Sequence, residues 1–96
     1  MKAYLVANVT ETDRDGYERY RQQVTSVLEQ YGGKFLVRSG TIHPKEGDFG
    51  FHRLVIIEFP SMEAANRFYD SPEYQPLLEL RTKSATSQVA LVEGAS

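Results

Sequence analysis

Residues 52–59 read HRLVIIEF, the most apolar run of the chain, and Pro60-Ser61 closes it. A short run rich in Val and Ile that ends on a breaker pair reads as a strand. Side chains alternate across a strand. His52, Leu54, Ile56 and Glu58 therefore share one face, and Arg53, Val55, Ile57 and Phe59 share the other. Both faces are apolar at the centre. A sheet with one face in water alternates apolar with polar residues instead.

The same two-faced pattern recurs on either side of this run. Near the carboxyl end, residues 87–93 (SQVALVE) put Val89 and Leu91 on one side and Ala90 and Val92 on the other. Near the amino end, residues 3–10 (AYLVANVT) set Tyr4 and Val6 opposite Leu5 and Val9. A fourth strand is expected at 34–39, followed by a Gly-, Pro- and Asp-rich loop, GTIHPKEGDFGFH.

Between the first two strands the apolar period changes. Tyr17, Tyr20, Val24, Val27, Leu28 and Tyr31 recur at steps of three and four, the signature of one helical face. Asp13 or Asp15 can cap this helix, and Glu18 stands at the capping-box distance from Asp15. Gly32-Gly33 stops it, because glycine accepts the left-handed cap. After the third strand, Ser61 caps a short helix, MEAANRFYD, and Ser71-Pro72 restarts helix through Tyr74, Leu77, Leu78 and Arg81.

The order is βαββαβ. Right-handed crossovers around a central hairpin give a ferredoxin-like α+β fold: a four-stranded antiparallel sheet with its helices on one face. The other face is apolar and has no cover within the chain. A second copy is the simplest cover, so a sheet-on-sheet homodimer is expected.

The bulk properties exclude several classes. The 96 residues fit a single domain, 1–96. A net charge of -2 without a Lys/Arg run predicts no nucleic-acid partner. No apolar run approaches the roughly 20 residues of a membrane span, and the amino terminus lacks the long apolar core of a secretory signal. A cytoplasmic protein is the expectation. Cysteine is absent, which excludes thiolate chemistry. His43 and His52 fit no metal spacing, so neither a metal nor another cofactor is predicted.

YGGKFLVRSG (31–40), LVIIEFPSMEAANRFYDSPEYQPLLELR (54–81) and the terminal LVEG resemble the domain-of-unknown-function 1330 family of the dimeric α/β-barrel superfamily. The resemblance covers about Ala3 to Gly94. It implies two ferredoxin-like sheets facing each other as a barrel, with helices outside. The superfamily includes cofactor-independent monooxygenases, lactone isomerases and haem-binding enzymes, and in several the ligand lies between the sheet and helices of one subunit. The family itself implies no activity.

Arg38 is the leading candidate for a site. Either it is paired structurally or snorkels to water at an edge, or its planar fork holds a ligand carboxylate or phosphate. With the hairpin turning near Glu46, Lys34 stands opposite Glu58 and Arg38 near Leu54. The matching family motif also carries arginine here. Asn8, Tyr4, Tyr69, His52 and Glu58 complete the candidate pocket. The tyrosines offer polar-tipped aromatic walls, Asn8 an amide for a ligand carbonyl, His52 a general base, and Glu58 a base or a counter-charge. Two functions stay open: a cofactor-independent enzyme acting on a small acidic or aromatic molecule, monooxygenase- or isomerase-like, or a non-catalytic dimeric binding or accessory protein.

Overall fold

In the computed structural model, which describes residues 1–95, the elements are β1 (Ala3–Glu11), α1 (Arg14–Gln30), β2 (Lys34–Arg38), β3 (Arg53–Phe59), α2 (Met62–Asp70), α3 (Gln75–Ser84) and β4 (Ala85–Glu93). The strands pair in the order β2-β3-β1-β4, every pair antiparallel. This is the expected ferredoxin-like α+β fold, with its second helical segment divided in two.

The helix ends follow local chemistry. Asp13 has extended backbone angles, and its carboxylate accepts from the Gly16 N–H at 3.3 Å. The Asp13 N–H donates to the Ser84 carbonyl at 3.0 Å, which holds the cap in place. Asp13 is therefore the cap, and Asp15 sits in the first turn, where a negative charge complements the helix dipole. At the other end the Gly33 N–H bonds the Leu28 carbonyl and the Gly32 N–H bonds that of Glu29. This is the paired Schellman arrangement, with Gly32 at φ 79°. A Cβ on Gly33 would lie 2.5 Å from a Leu28 methyl and 2.9 Å from the Phe59 ring, so the turn can press directly on the core.

Ser61 caps α2 by accepting from the Ala64 N–H at 3.0 Å. The Ser71 hydroxyl donates to the Phe68 carbonyl and accepts from the Tyr74 N–H, forming a turn between α2 and α3. The proline in the first turn of α3 is Pro76, so this helix starts later than Ser71-Pro72 predicts.

The helices cover the face that carries Leu5, Ala7, Val9, Val55, Ile57 and Phe59, all buried. Leu28 and Phe68, each 1% exposed, meet that face from α1 and α2. Burying a side chain of this size contributes about 1.5–3 kcal/mol. The opposite face carries Tyr4, Val6, Leu54 and Ile56, half-buried, and Val92, exposed. Among the described residues no helix or strand packs over it as a layer.

One irregularity decides the site. Lys34 pairs with Glu58 and Phe35 with Ile57, but then Val37 pairs with Ile56 and Arg38 with Val55. Leu36 is the extra residue of a β-bulge. A regular ladder would have placed Arg38 opposite Leu54, on the open face. The bulge turns it to the helix side, onto the same face as Phe35. Ser39 follows at φ 59°, a left-handed angle uncommon for serine, and ends the strand.

Candidate functional site

A cavity of about 40 Å³ lies between the sheet and the helices. That volume exceeds the roughly 10–15 Å³ needed for one water. Leu5, Ala7, Val55 and Ile57 form its apolar floor; Tyr17, Tyr20 and Val24 reach in from α1, and Phe68, Tyr74 and Arg81 from the α2–α3 segment. Arg21, Arg38 and Ser39 lie on its β2 side.

Because the bulge aligns Arg38 with Phe35, its guanidinium stacks 4.1 Å from the centre of that ring. It donates to the Arg21 carbonyl at 2.9 Å and to the Thr25 hydroxyl at 3.3 Å, both on α1. Burial lowers its pKa, and the neighbouring Arg21 charge adds to the lowering. Its partners are neutral oxygens.

Arg81 is more deeply placed, at 6% exposure. Its guanidinium donates to the Tyr69 hydroxyl at 3.3 Å. Burial disfavours the charge, while the hydroxyls of Tyr74, Tyr20 and Tyr69 more than offset this, and the net shift is upward. Those tyrosines are uncharged at neutral pH, so they supply dipoles and no counter-charge. Tyr20 and Tyr74 share a hydrogen bond of 2.8 Å. Burial pushes the Tyr20 pKa well above its ordinary value, helped by Tyr74. Burial also raises Tyr17, against the opposing charges of Arg53 and Arg21.

No aspartate or glutamate lines the cavity. The acidic residues nearby are engaged at its margins: Glu18 bonds Arg21 at 3.3 Å, and Glu11 bonds Arg53 at 3.2 Å. The cavity is thus cationic, aromatic and without an internal anion.

The residues singled out in the sequence divide between the two faces. Arg38 lines the cavity, and Tyr69 bonds Arg81 beside it. Asn8, Tyr4 and Glu58 lie on the open face, and His52 precedes β3 at the end of the loop. Asn8 accepts from the His52 backbone N–H at 3.0 Å and donates to Gln88 and to the Gly50 carbonyl, which fastens the 40–52 loop to the sheet. Glu58 bonds Lys2 at 3.0 Å and approaches Lys34 at 3.8 Å. Tyr4 stands between Glu58 and Val92 in the ladder. His52 borders a shallow polar depression with Glu11 and Arg53. Glu58 is on the side of the sheet away from Arg38, and His52 does not line the cavity. Among the described residues no cluster of three potential metal ligands occurs, and no helix is long and apolar enough to cross a membrane.

Arg21 and Arg81 are cavity residues that the sequence reading did not single out. The signal was present: Tyr74, Leu77 and Arg81 recur at helical spacing on one stripe, and a charge on an apolar stripe is the same anomaly as Arg38 in its strand.

The family described as "Domain of unknown function (DUF1330)" matches residues 2–95. The chain belongs to this family. No curated protein matches it. Several solved structures share the fold of this DUF1330 chain. A protein of unknown function from Rhodopseudomonas palustris is 18% identical, with a TM-score of 0.77 over 99% of this chain and 83% of the other. SnoaB, a cofactor-independent oxygenase from Streptomyces nogalater, is 16% identical, with a TM-score of 0.71 over 99% and 94%. A dimeric ferredoxin-like protein of unknown function from Jannaschia sp. is 11% identical, with a TM-score of 0.66 over 98% and 100%.

Proposed function

We propose that this DUF1330 chain is a homodimer that binds a small organic anion in the cavity beneath α1, with Arg38 at its edge. The observation that carries the binding reading is a cavity lined by Arg38 and Arg81, neither paired with a carboxylate, beside Arg21, which Glu18 answers. A charge taken out of water without a partner costs several kcal/mol, roughly, so such a site gains from an anionic guest. The apolar floor and tyrosine walls favour a guest with a flat, apolar body.

Catalysis by a general base has little support here. Neither His52 nor Glu58 lines the cavity, and Tyr17 and Tyr20 hold their protons tightly. The enzymatic reading that survives is one in which the substrate supplies its own acidity and the Tyr20–Tyr74 pair and the guanidiniums stabilise an enolate oxygen. The fold it shares with the oxygenase SnoaB makes oxygen consumption with enolisable aromatic acids the assay for that reading. A protein that binds such acids without consuming oxygen is a binding module.

The binding test is a melting-temperature screen of carboxylates and phosphates. A true ligand at a hundredfold excess over its Kd stabilises by about 2.7 kcal/mol, a shift of roughly ten degrees or more for a domain of this size. Arg38→Met reduces that shift. A screen in which no anion moves the wild-type melting point sinks the proposal. The dimer reading rests on the uncovered apolar sheet face and on the dimeric relative from Jannaschia sp.. Light scattering should give twice the 10.9 kDa chain mass, and a monomer mass at micromolar concentration rejects it.

A further inference from the structure

Among the guanidiniums of the cavity, Arg38 is the one whose hydrogen bonds are best provided for. It is half-buried, stacked on Phe35, and bonded to two neutral oxygens of α1. Arg81 is 6% exposed and has only tyrosine hydroxyls for partners, Tyr69 at 3.3 Å and Tyr74 beside it, for a group with five N–H donors. Its salt-bridge partners among the described residues number none. Buried charges in proteins are paired or hold a ligand.

Resting on the reading that the cavity takes an organic anion, we propose that Arg81 is the seat of the ligand's charge and that the ligand is a small aromatic monocarboxylate. Its carboxylate lies against Arg81 among the hydroxyls of Tyr20, Tyr69 and Tyr74. Its ring lies over the floor made by Ala7, Val55 and Ile57, towards Arg38. The planar fork of arginine matches a carboxylate in a bidentate manner. At the Arg81 end one guanidinium among neutral hydroxyls balances one charge, Arg21 being paired with Glu18 and Arg38 standing at the cavity edge, whereas a phosphate monoester carries nearly two, roughly. The apolar floor favours a flat ring over a polar or extended guest, and the cavity of about 40 Å³ must widen to admit it.

The experiment uses sodium benzoate as probe, benzamide as its uncharged counterpart, and inorganic phosphate. Affinities and melting temperatures are measured for the wild type, Arg81→Met, Arg81→Lys and Arg38→Met. Benzoate should bind the wild type, and benzamide and phosphate should not. Arg81→Met should weaken benzoate by roughly ten- to a hundredfold, the value of a charged hydrogen-bonded contact. Without ligand its melting temperature should fall slightly, since the tyrosine hydroxyls around Arg81 favour its charge in the fold. Arg81→Lys should bind benzoate with intermediate affinity. Arg38→Met should still prefer benzoate to benzamide.

Four results overturn the inference: benzoate binding unchanged in Arg81→Met; a preference lost in Arg38→Met and kept in Arg81→Met; phosphate binding more tightly than benzoate; or no benzoate binding to the wild type. The wider anion proposal survives each of these if another acid binds, and falls with the last if none does. Should Arg81→Met fail to fold, the Arg81 Nε–H signal followed by NMR during benzoate titration of the wild type decides. A moving signal supports the seat, and a still one, with cavity signals moving around it, overturns it.

Discussion

The two faces of the sheet are built from similar residues and differ in what covers them. On the helix side Ile57 is 5% exposed and touches a continuous core; on the open side its neighbour Ile56 is half-buried. The polar groups differ in the same way. Open-face groups are satisfied within the chain: Asn8 by three hydrogen bonds, Glu58 by two lysines. Helix-side Arg81 is enclosed with less partnering than any of them. An enclosed face with an unmet charge suits a small guest. An uncovered apolar face with its polar groups already met suits a large flat partner, which the dimer proposal supplies.

The strongest way to break this contrast is to put the same charge on each face. Ile57→Asp buries a carboxylate in the core and should cost about 4 kcal/mol or more, enough to unfold the chain by circular dichroism. Ile56→Asp should leave the circular dichroism native and shift light scattering from dimer to monomer. If Ile56→Asp remains dimeric, the open face is not the interface.

A smaller effect is expected from removing the bulge. Deleting Leu36 restores a regular ladder and sends Arg38 to the open face, opposite Leu54. The loss of its stacking on Phe35 and its two bonds to α1 should cost roughly 2–3 kcal/mol in urea denaturation. The benzoate shift should shrink as well. An Arg38–Phe35 contact that persists in the deleted protein, seen by NMR, would show that Leu36 does not set the facing of Arg38.

Leu36 also marks where the sequence stops being readable. The faces of β1, β3 and β4 follow from period-two counting because those ladders are regular over their paired lengths. The α1 stop at Gly32-Gly33 was equally plain, since the chemistry that ends a helix is local. The facing of Arg38 was not, because one extra residue inverts every later position and nothing in KFLVR distinguishes a bulged strand from a straight one. Three of the six candidate pocket residues, Tyr4, Asn8 and Glu58, lie across the sheet from the cavity that Arg38 lines. Arg81 escaped for a different reason. Its isolation depends on which side chains the fold brings around it, from α1 and the α2–α3 turn, and helical spacing alone does not say whether an arginine on an apolar stripe reaches water.

Asn8→Ala probes the open side with a more modest effect. Each of its hydrogen bonds contributes about 0.5–1.5 kcal/mol, and together they hold the loop that carries the exposed, stacked Phe49 and Phe51. The variant should exchange amide protons of residues 40–52 faster and be cut there sooner by protease, with its benzoate shift intact. A benzoate shift lost in Asn8→Ala would mean that the open face communicates with the cavity and that the two sides are not independent.

The smallest effect lies in the hydroxyl pair. Tyr20 has its pKa raised well above the ordinary value of 10.0, chiefly by burial. Between that ordinary value and the raised one, the unfolded chain has released the Tyr20 proton and the folded chain still holds it. The unfolded state then binds fewer protons, so stability falls as pH rises through this window and is at its full value below it. Tyr20→Phe keeps the ring and removes the hydroxyl bonded to Tyr74. At neutral pH the loss should be about 1 kcal/mol, visible as a slight drop in the urea midpoint. Above the ordinary tyrosine pKa the wild type should lose stability more steeply than the variant, and the two curves should converge. Parallel curves through that window would mean that the Tyr20 hydroxyl titrates freely, and the cavity would then be wetter than its enclosure implies.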